Sequence, residues 1–133
     1  MDIIAVRTSE RNQLVDITDQ VQKSVSDAGM SDGLVCVFVP HTTAGVTINE
    51  NADPDVPADI LMELNKIVPF EDRYQHTEGN SPAHIKSSLI GCSQTLFIES
   101  GKLLLGTWQG IFFCELDGPR NRQVHIKVIR TEP

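Results

Sequence analysis

Long hydrophobic runs are missing from this chain. No apolar stretch approaches the roughly 20 residues that a membrane-spanning helix needs, and the start Met1-Asp2-Ile3-Ile4 lacks the basic segment and apolar core of a secretory leader. Positive charge is also scarce: 11 Lys and Arg face 18 Asp and Glu, and the formal net charge of −7 argues against a surface that grips nucleic acid through general electrostatics. Cysteine is sparse. Cys36, Cys92 and Cys114 are odd in number, scattered and without a CxxC pair, which reads as reduced thiols in a cytoplasmic protein more readily than as disulfides or a zinc cage. No Walker A loop, no G-x-G-x-x-G after a strand, no G-x-S-x-G elbow and no H-E-x-x-H occurs, so nucleotide cradles, serine hydrolases and zincins of those kinds have no support.

What is present is enough apolar material, 40% of 133 residues, for one domain with a real core. Ile3-Ile4-Ala5-Val6 and Gln13-Leu14-Val15-Asp16-Ile17 read as strands around the turn Ser9-Glu10-Arg11-Asn12. Thr18 is a candidate N-cap for a helix with Val21, Val25 and Ala28 on one stripe and Gly29 as its stop. Leu34 to Val39 is apolar at both parities, the pattern of a strand buried on both faces. Val46 and Ile48 alternate with Thr47 and Asn49. Asp53 or Asp55 can cap a second helix with Ile60, Leu61, Leu64 and Ile67 or Val68 inward, ended by Pro69. Ser81-Pro82 opens a third, with Ile85 and Leu89 on its apolar face. Strands then dominate to Ile129. Helices and strands are segregated, which predicts an α+β fold: a mainly antiparallel β-sandwich or partial barrel with about three short helices packed on it, over residues 1–133.

Two polar stretches break the pattern of a packed core. His41-Thr42-Thr43-Ala44-Gly45-Val46-Thr47-Ile48-Asn49-Glu50-Asn51 follows the apolar strand, and His76-Thr77-Glu78-Gly79-Asn80-Ser81-Pro82-Ala83-His84 leads into the third helix. Buried hydrogen-bonding groups each need a partner, so such clusters at element ends are read as halves of one site. His84 near a helix start meets a dipole end that disfavours imidazolium, and a neutral imidazole is what a ligand or a base requires. His76 lies 84 − 76 = 8 residues before it, and His41 can complete an open three-histidine set. Glu50 and Glu78 can ligate a cation or move a proton. The helix start at Ser81, with Lys86, Ser87 and Ser88 close by, is a candidate phosphate cradle, and Arg120 and Arg122 suit phosphate or carboxylate recognition. His125 shares a strand parity with Gln123 and Lys127 and reads as a solvated face. Trp108 reads as core or interface, beside a Gln109 that can point toward the site.

Taken together, His41-Thr42-Thr43-Ala44-Gly45 with Asn49-Glu50, Glu78-Gly79-Asn80 with His84-Ile85-Lys86, Gly106-Thr107-Trp108-Gln109-Gly110, and Asp117-Gly118-Pro119-Arg120 resemble the YjbQ-like family, in the same order and over nearly the whole chain. The resemblance implies a compact α+β domain with a β-sandwich core, associated as a homotrimer. It also implies a secondary thiamine-phosphate synthase, a transferase joining a pyrimidine diphosphate to a thiazole phosphate with loss of pyrophosphate. On that mapping His41, His84 and Glu50 are catalytic, and His41, His76 and His84 surround a divalent metal, zinc or magnesium. Ser81, Lys86 and Arg120 hold phosphate, while Thr43, Asn49 and Gln109 orient the substrate. The alternative expectation is a non-catalytic trimer that binds a metabolite or a metal.

Overall fold

A computed structural model describes residues 1–131. Eight strands and three helices follow in the order β1 (Asp2–Arg7), β2 (Gln13–Asp16), α1 (Thr18–Asp27), β3 (Gly33–Phe38), β4 (Ala44–Glu50), α2 (Asp55–Ile67), α3 (Ser81–Ile90), β5 (Ser93–Glu99), β6 (Lys102–Leu103), β7 (Gln109–Glu115) and β8 (Asn121–Arg130). The strands form a five-stranded sheet, β1-β8-β3-β5-β6, and a three-stranded sheet, β2-β7-β4. Every pairing is antiparallel. This is the α+β architecture expected from the segregation of helices and strands. None of the described helices is long and apolar enough to cross a membrane.

The period-2 pattern sets the core. Val35, Val37, Val124 and Ile126 of the large sheet and Val46, Ile111 and Phe113 of the small one are fully buried, as are Ile17, just before α1, and Val21 and Val25 on its inner stripe. The strand enclosed on both faces is β7, whose Ile111 to Glu115 are all buried. β3 instead turns Phe38 outward, 41% exposed. The difference is one of position. β7 is sandwiched between the core and the helix-covered side of the small sheet, whereas the outer face of the large sheet carries no helix.

Three local expectations shift. Asp16, not Thr18, closes the first turn of α1: its Oδ1 accepts from the Thr18 amide (2.9 Å) and hydroxyl (2.6 Å), while Thr18 Oγ1 accepts from the Ile111 amide at 2.9 Å. Ser81 is the first residue of α3 rather than its cap, and the Ala83 and His84 amides are taken by the Asn80 carbonyl at 3.0 and 3.4 Å. Ile85 and Leu89, expected inward, are 40% and 61% exposed, and α3 buries Ser81, Pro82, Ala83 and Lys86 instead. Close packing explains that inversion. A Cβ on Gly45 of β4 would lie 2.6 Å from the Gly91 carbonyl oxygen and 3.1 Å from Ile90, so the helix approaches at a distance that only small residues allow.

Candidate functional site

The two polar stretches do not collapse into one cluster; they supply three neighbourhoods. The first is a cleft of about 390 Å³ at the end of β3, lined by His41, Thr42, His84, Ser87, Ser88 and Cys92. The His76 ring stands edge-on to that of His84, centroids 5.3 Å apart. The histidines are thus neighbours, yet among the described residues no group of three His, Cys, Asp or Glu side chains is placed to hold a metal ion. The reason is visible at His41. Its Nε2 accepts a hydrogen bond from the Gln123 backbone amide at 3.0 Å, which leaves the proton on Nδ1 and occupies the nitrogen a metal would need. Burial first, then the Arg122 charge, holds this imidazole below its ordinary pKa. The Gln123 amide favours the same neutral form, because it needs the Nε2 lone pair. His41 offers this cleft a fixed Nδ1–H donor.

The second neighbourhood lies at the far end of β4. Glu50 pairs in register with Gln109, and Asn49 with Gly110, six residues and roughly 20 Å of strand away from Ala44. Asn49 Oδ1 accepts from the Glu50 amide at 2.7 Å, and Gln109 Oε1 closes its own turn on the Gly106 amide at 2.8 Å. These groups do not meet His41 or His84. Trp108 beside them is exposed.

The third neighbourhood is a pocket of about 400 Å³ between the β1–β2 turn, the end of α2, the start of α3 and the β7–β8 turn. Arg11, Asn12, Asn65, Asn80, Lys86 and Asp117 supply its polar lining, and Phe70, Pro82 and Ala83 its apolar walls. Lys86 is only 4% exposed, although it is a lysine. Its Nζ donates to Asn65 Oδ1, and no described carboxylate oxygen lies within 4 Å of it. Burial first, then the Arg11 charge, holds its pKa below the ordinary lysine value. Arg11 lies over the Phe70 ring, 4.3 Å from the centroid. The pocket's carboxylate, Asp117, is already engaged: Arg120 Nη2 and Asn80 Nδ2 donate to its Oδ2 at 2.8 and 2.9 Å. Asn80 Oδ1 and Asn12 Oδ1 are buried without a partner, an arrangement that folded proteins reserve for few positions.

A buried ion pair connects the first and third neighbourhoods. Glu115, fully enclosed, accepts from Arg122 Nε at 2.8 Å and from Arg122 Nη2 at its other oxygen, from the Thr8 hydroxyl at 2.7 Å and from the Asp117 amide at 3.0 Å. Arg122 also donates to the Thr43 carbonyl (3.1 Å) and hydroxyl (2.9 Å). Arg122 and Thr43, read from sequence as ligand contacts, are therefore spent on the protein itself. Arg120 faces Asp117. The α3 amides expected to cradle phosphate are largely used by Asn80, so Ser81 shapes the pocket wall rather than opening an amide nest.

Sequence reasoning missed Arg11, Asn12, Asn65 and Glu115. The first two read as turn residues and Asn65 as helix surface. Glu115 did carry a signal: it shares the inward parity of Ile111 and Phe113, and a carboxylate there demands a buried cation.

Comparison with known proteins agrees over the full fold. The model of the family described as UPF0047 protein YjbQ-like matches residues 2–131. A UPF0047 protein of Methanocaldococcus jannaschii is 55% identical over 93% of this chain and 90% of its own length. The UPF0047 protein YugU of Bacillus subtilis is 47% identical over 95% and 96%. A crystal structure of a conserved protein of the same family from Clostridium acetobutylicum superposes with a TM-score of 0.96 at 57% identity, covering 97% of this chain and all of that one (100%). A YbjQ-like protein from Sulfolobus solfataricus, described as of unknown function, gives 0.94 at 34% identity over 98% and 96%. These findings correct one expectation. The relatives are proteins of unknown function, and nothing in them indicates thiamine-phosphate synthesis, so the transferase activity implied by the motifs is set aside.

Proposed function

The chain belongs to the YjbQ-like family, UPF0047, and within it we propose that this protein binds a small, hydroxylated, phosphate-bearing metabolite in the pocket around Lys86. The observation that carries this reading is a lysine buried at the wall of an open cavity with no described carboxylate partner. A buried cation ordinarily keeps a counter-ion. Here an anionic ligand group supplies it, and Arg11 at the same pocket adds a guanidinium suited to phosphate. The free Asn12 and Asn80 carboxamide oxygens ask for donors, which hydroxyl groups of the ligand provide. Arg120 acts through Asp117, whose negative charge it offsets before it can repel the anion.

Support for a homotrimer comes from the outer face of the large sheet. One row carries Ile3, His125 and Phe38 in register, and another, four residues along and roughly 13 Å away, carries Ile129, Leu34 and Phe97. Ile3, Phe38, Phe97 and Ile129 are exposed. Three free thiols support cytoplasmic residence.

The test is titration calorimetry with inorganic phosphate and with ribose 5-phosphate. Arg11→Ala is expected to weaken binding by about 1.5–3 kcal/mol, the worth of a hydrogen bond to a charged group, and Arg120→Ala to weaken it through the uncovered Asp117 charge. Glu50→Ala, distant from the pocket, leaves it unchanged. Equal affinity in all three variants and the parent sinks the assignment.

A further inference from the structure

Lys86 does more than an anion contact requires, and this deeper reading rests on the pocket assignment above. The chain has five lysines; Lys23, Lys66, Lys102 and Lys127 are exposed, and Lys86 alone of the five is buried. Three N–H groups of its ammonium would face one described acceptor, Asn65 Oδ1, which also receives the Asn12 Nδ2 group at 3.4 Å. The charged groups of the pocket are Arg11, of like sign, and Asp117, already held by Arg120 and Asn80. Burial and the like charge of Arg11 therefore disfavour the ammonium, against a single acceptor at Asn65 Oδ1. A lysine desolvated beside another cation is the arrangement that yields a nucleophilic amine. The cavity it lines, about 400 Å³, lies within the ordinary range for small-molecule sites.

We propose that Lys86 condenses with the carbonyl carbon of a phosphorylated aldose or ketose seated in this pocket, forming a reversible imine. The Nζ lone pair attacks the carbonyl carbon, and the C=O π electrons move to oxygen. Nζ gives up its two protons and that oxygen departs as water, leaving a C=N linkage. A proton from solvent on the imine nitrogen gives the iminium. No oxidant or reductant is needed. Arg11 anchors the phosphate, and the Asn12 and Asn80 oxygens receive the sugar hydroxyls. Burial, and then the Arg11 charge, lower the pKa of Lys86 below the ordinary lysine value, which enlarges its free-amine fraction.

The experiment incubates the full chain with glyceraldehyde 3-phosphate, reduces with sodium borohydride and maps adducts by peptide mass spectrometry. Unphosphorylated glyceraldehyde runs in parallel. The expected result is a secondary amine on Lys86 at about tenfold or more over any other lysine, dependent on the phosphate. Its labelling rate should rise with a midpoint below the ordinary lysine value of about 10.4. Lys86→Arg removes the primary amine, so the reduced adduct should disappear from that peptide. If Lys86 stays unlabelled while phosphate still raises the melting temperature of the parent protein, the imine is overturned and the anion pocket stands. If phosphate gives no shift either, the pocket assignment falls with it.

Discussion

Glu115 and Arg122 show how a charged pair can be enclosed where an apolar strand ends. Glu115 lies on the inward parity of β7, and Arg122 enters at the start of β8 from the opposite sheet. Taking both ions out of water is costly, and the network recovers that cost by saturating Glu115: two guanidinium contacts, one hydroxyl and one amide. Burial alone would push the Glu115 carboxyl up. The hydrogen bonds from Arg122, Thr8 and the Asp117 amide outweigh it and hold the group below its ordinary pKa. The sign of the linkage follows. A depressed folded-state pKa means that the unfolded chain binds the proton more tightly. The contribution is therefore fully present above the unfolded value of about 4.3 and is lost as pH falls through the folded value. Glu115→Gln leaves Arg122 buried with no anion and should cost about 3–5 kcal/mol at neutral pH in urea unfolding. Removing the exposed Lys23–Asp27 pair should cost at most about 1 kcal/mol. The Gln variant should also lose less stability than the parent between pH 5 and pH 3; parallel curves would show that Glu115 does not carry the acid sensitivity.

At the scale of elements, α3 holds the site together, because His84 and Ser87 face one cleft and Ala83 and Lys86 face the other pocket. Its seat on β4 depends on Gly45. A methyl group there meets the Gly91 carbonyl, which is backbone and cannot swing aside. Gly45→Ala should therefore destabilise by about 1–3 kcal/mol through overpacking. It should also weaken phosphate binding, whereas Gly79→Ala, where nothing lies within 4 Å, should leave Lys86 in place even though its φ of +82° makes that loop strained. Melting curves and calorimetry on both variants separate helix displacement from simple loss of stability. The same helix marks the boundary of what sequence could tell. The order of strands and helices followed from alternation, from proline at a helix start and from Gly-rich turns, because those signals are local. The buried face of α3 did not, since tight packing favoured Ser81, Ala83 and the stem of Lys86 over Ile85 and Leu89. Arg11 and Lys86 were likewise unreadable as a pair: 86 − 11 = 75 residues separate them in sequence, and the β2–β7 pairing with the packing of α3 brings them to one pocket. His41 and His84 were legible as neighbours, being at element ends. That the Gln123 amide occupies His41 Nε2 depends on a strand 82 positions away.

For the molecule as a whole, the acidic balance and the apolar outer sheet pull in opposite directions. A net charge of −7 makes copies repel at long range, while Ile3, Phe38, Phe97 and Ile129 leave a face that water wets poorly. Salt shortens the range of the repulsion without weakening hydrophobic burial, so association should strengthen as ionic strength rises. The arrangement of the face also bears on symmetry. The two apolar rows differ in composition, with an aromatic beside an imidazole at one end and Phe97 with two aliphatics at the other. A two-fold contact would pair the Phe38 end with the Phe97 end reciprocally, whereas a ring lets the Phe38 end of one copy meet the Phe97 end of the next and closes after a small number of copies. The expected particle is a trimer, and light scattering should return three times the chain mass at micromolar concentration. Phe97→Asp places a charge on this face and should give a folded monomer with an unchanged far-ultraviolet circular dichroism spectrum, because the side chain lies outside the core. A parent protein that stays monomeric at high salt, or a Phe97→Asp variant that keeps the full assembly, would remove this face from the account. Gln123, on the same outer face, also supplies the amide that fixes His41. Dissociation should therefore loosen the His41 ring while leaving the Lys86 pocket intact, so phosphate affinity measured on the monomeric variant should match that of the parent.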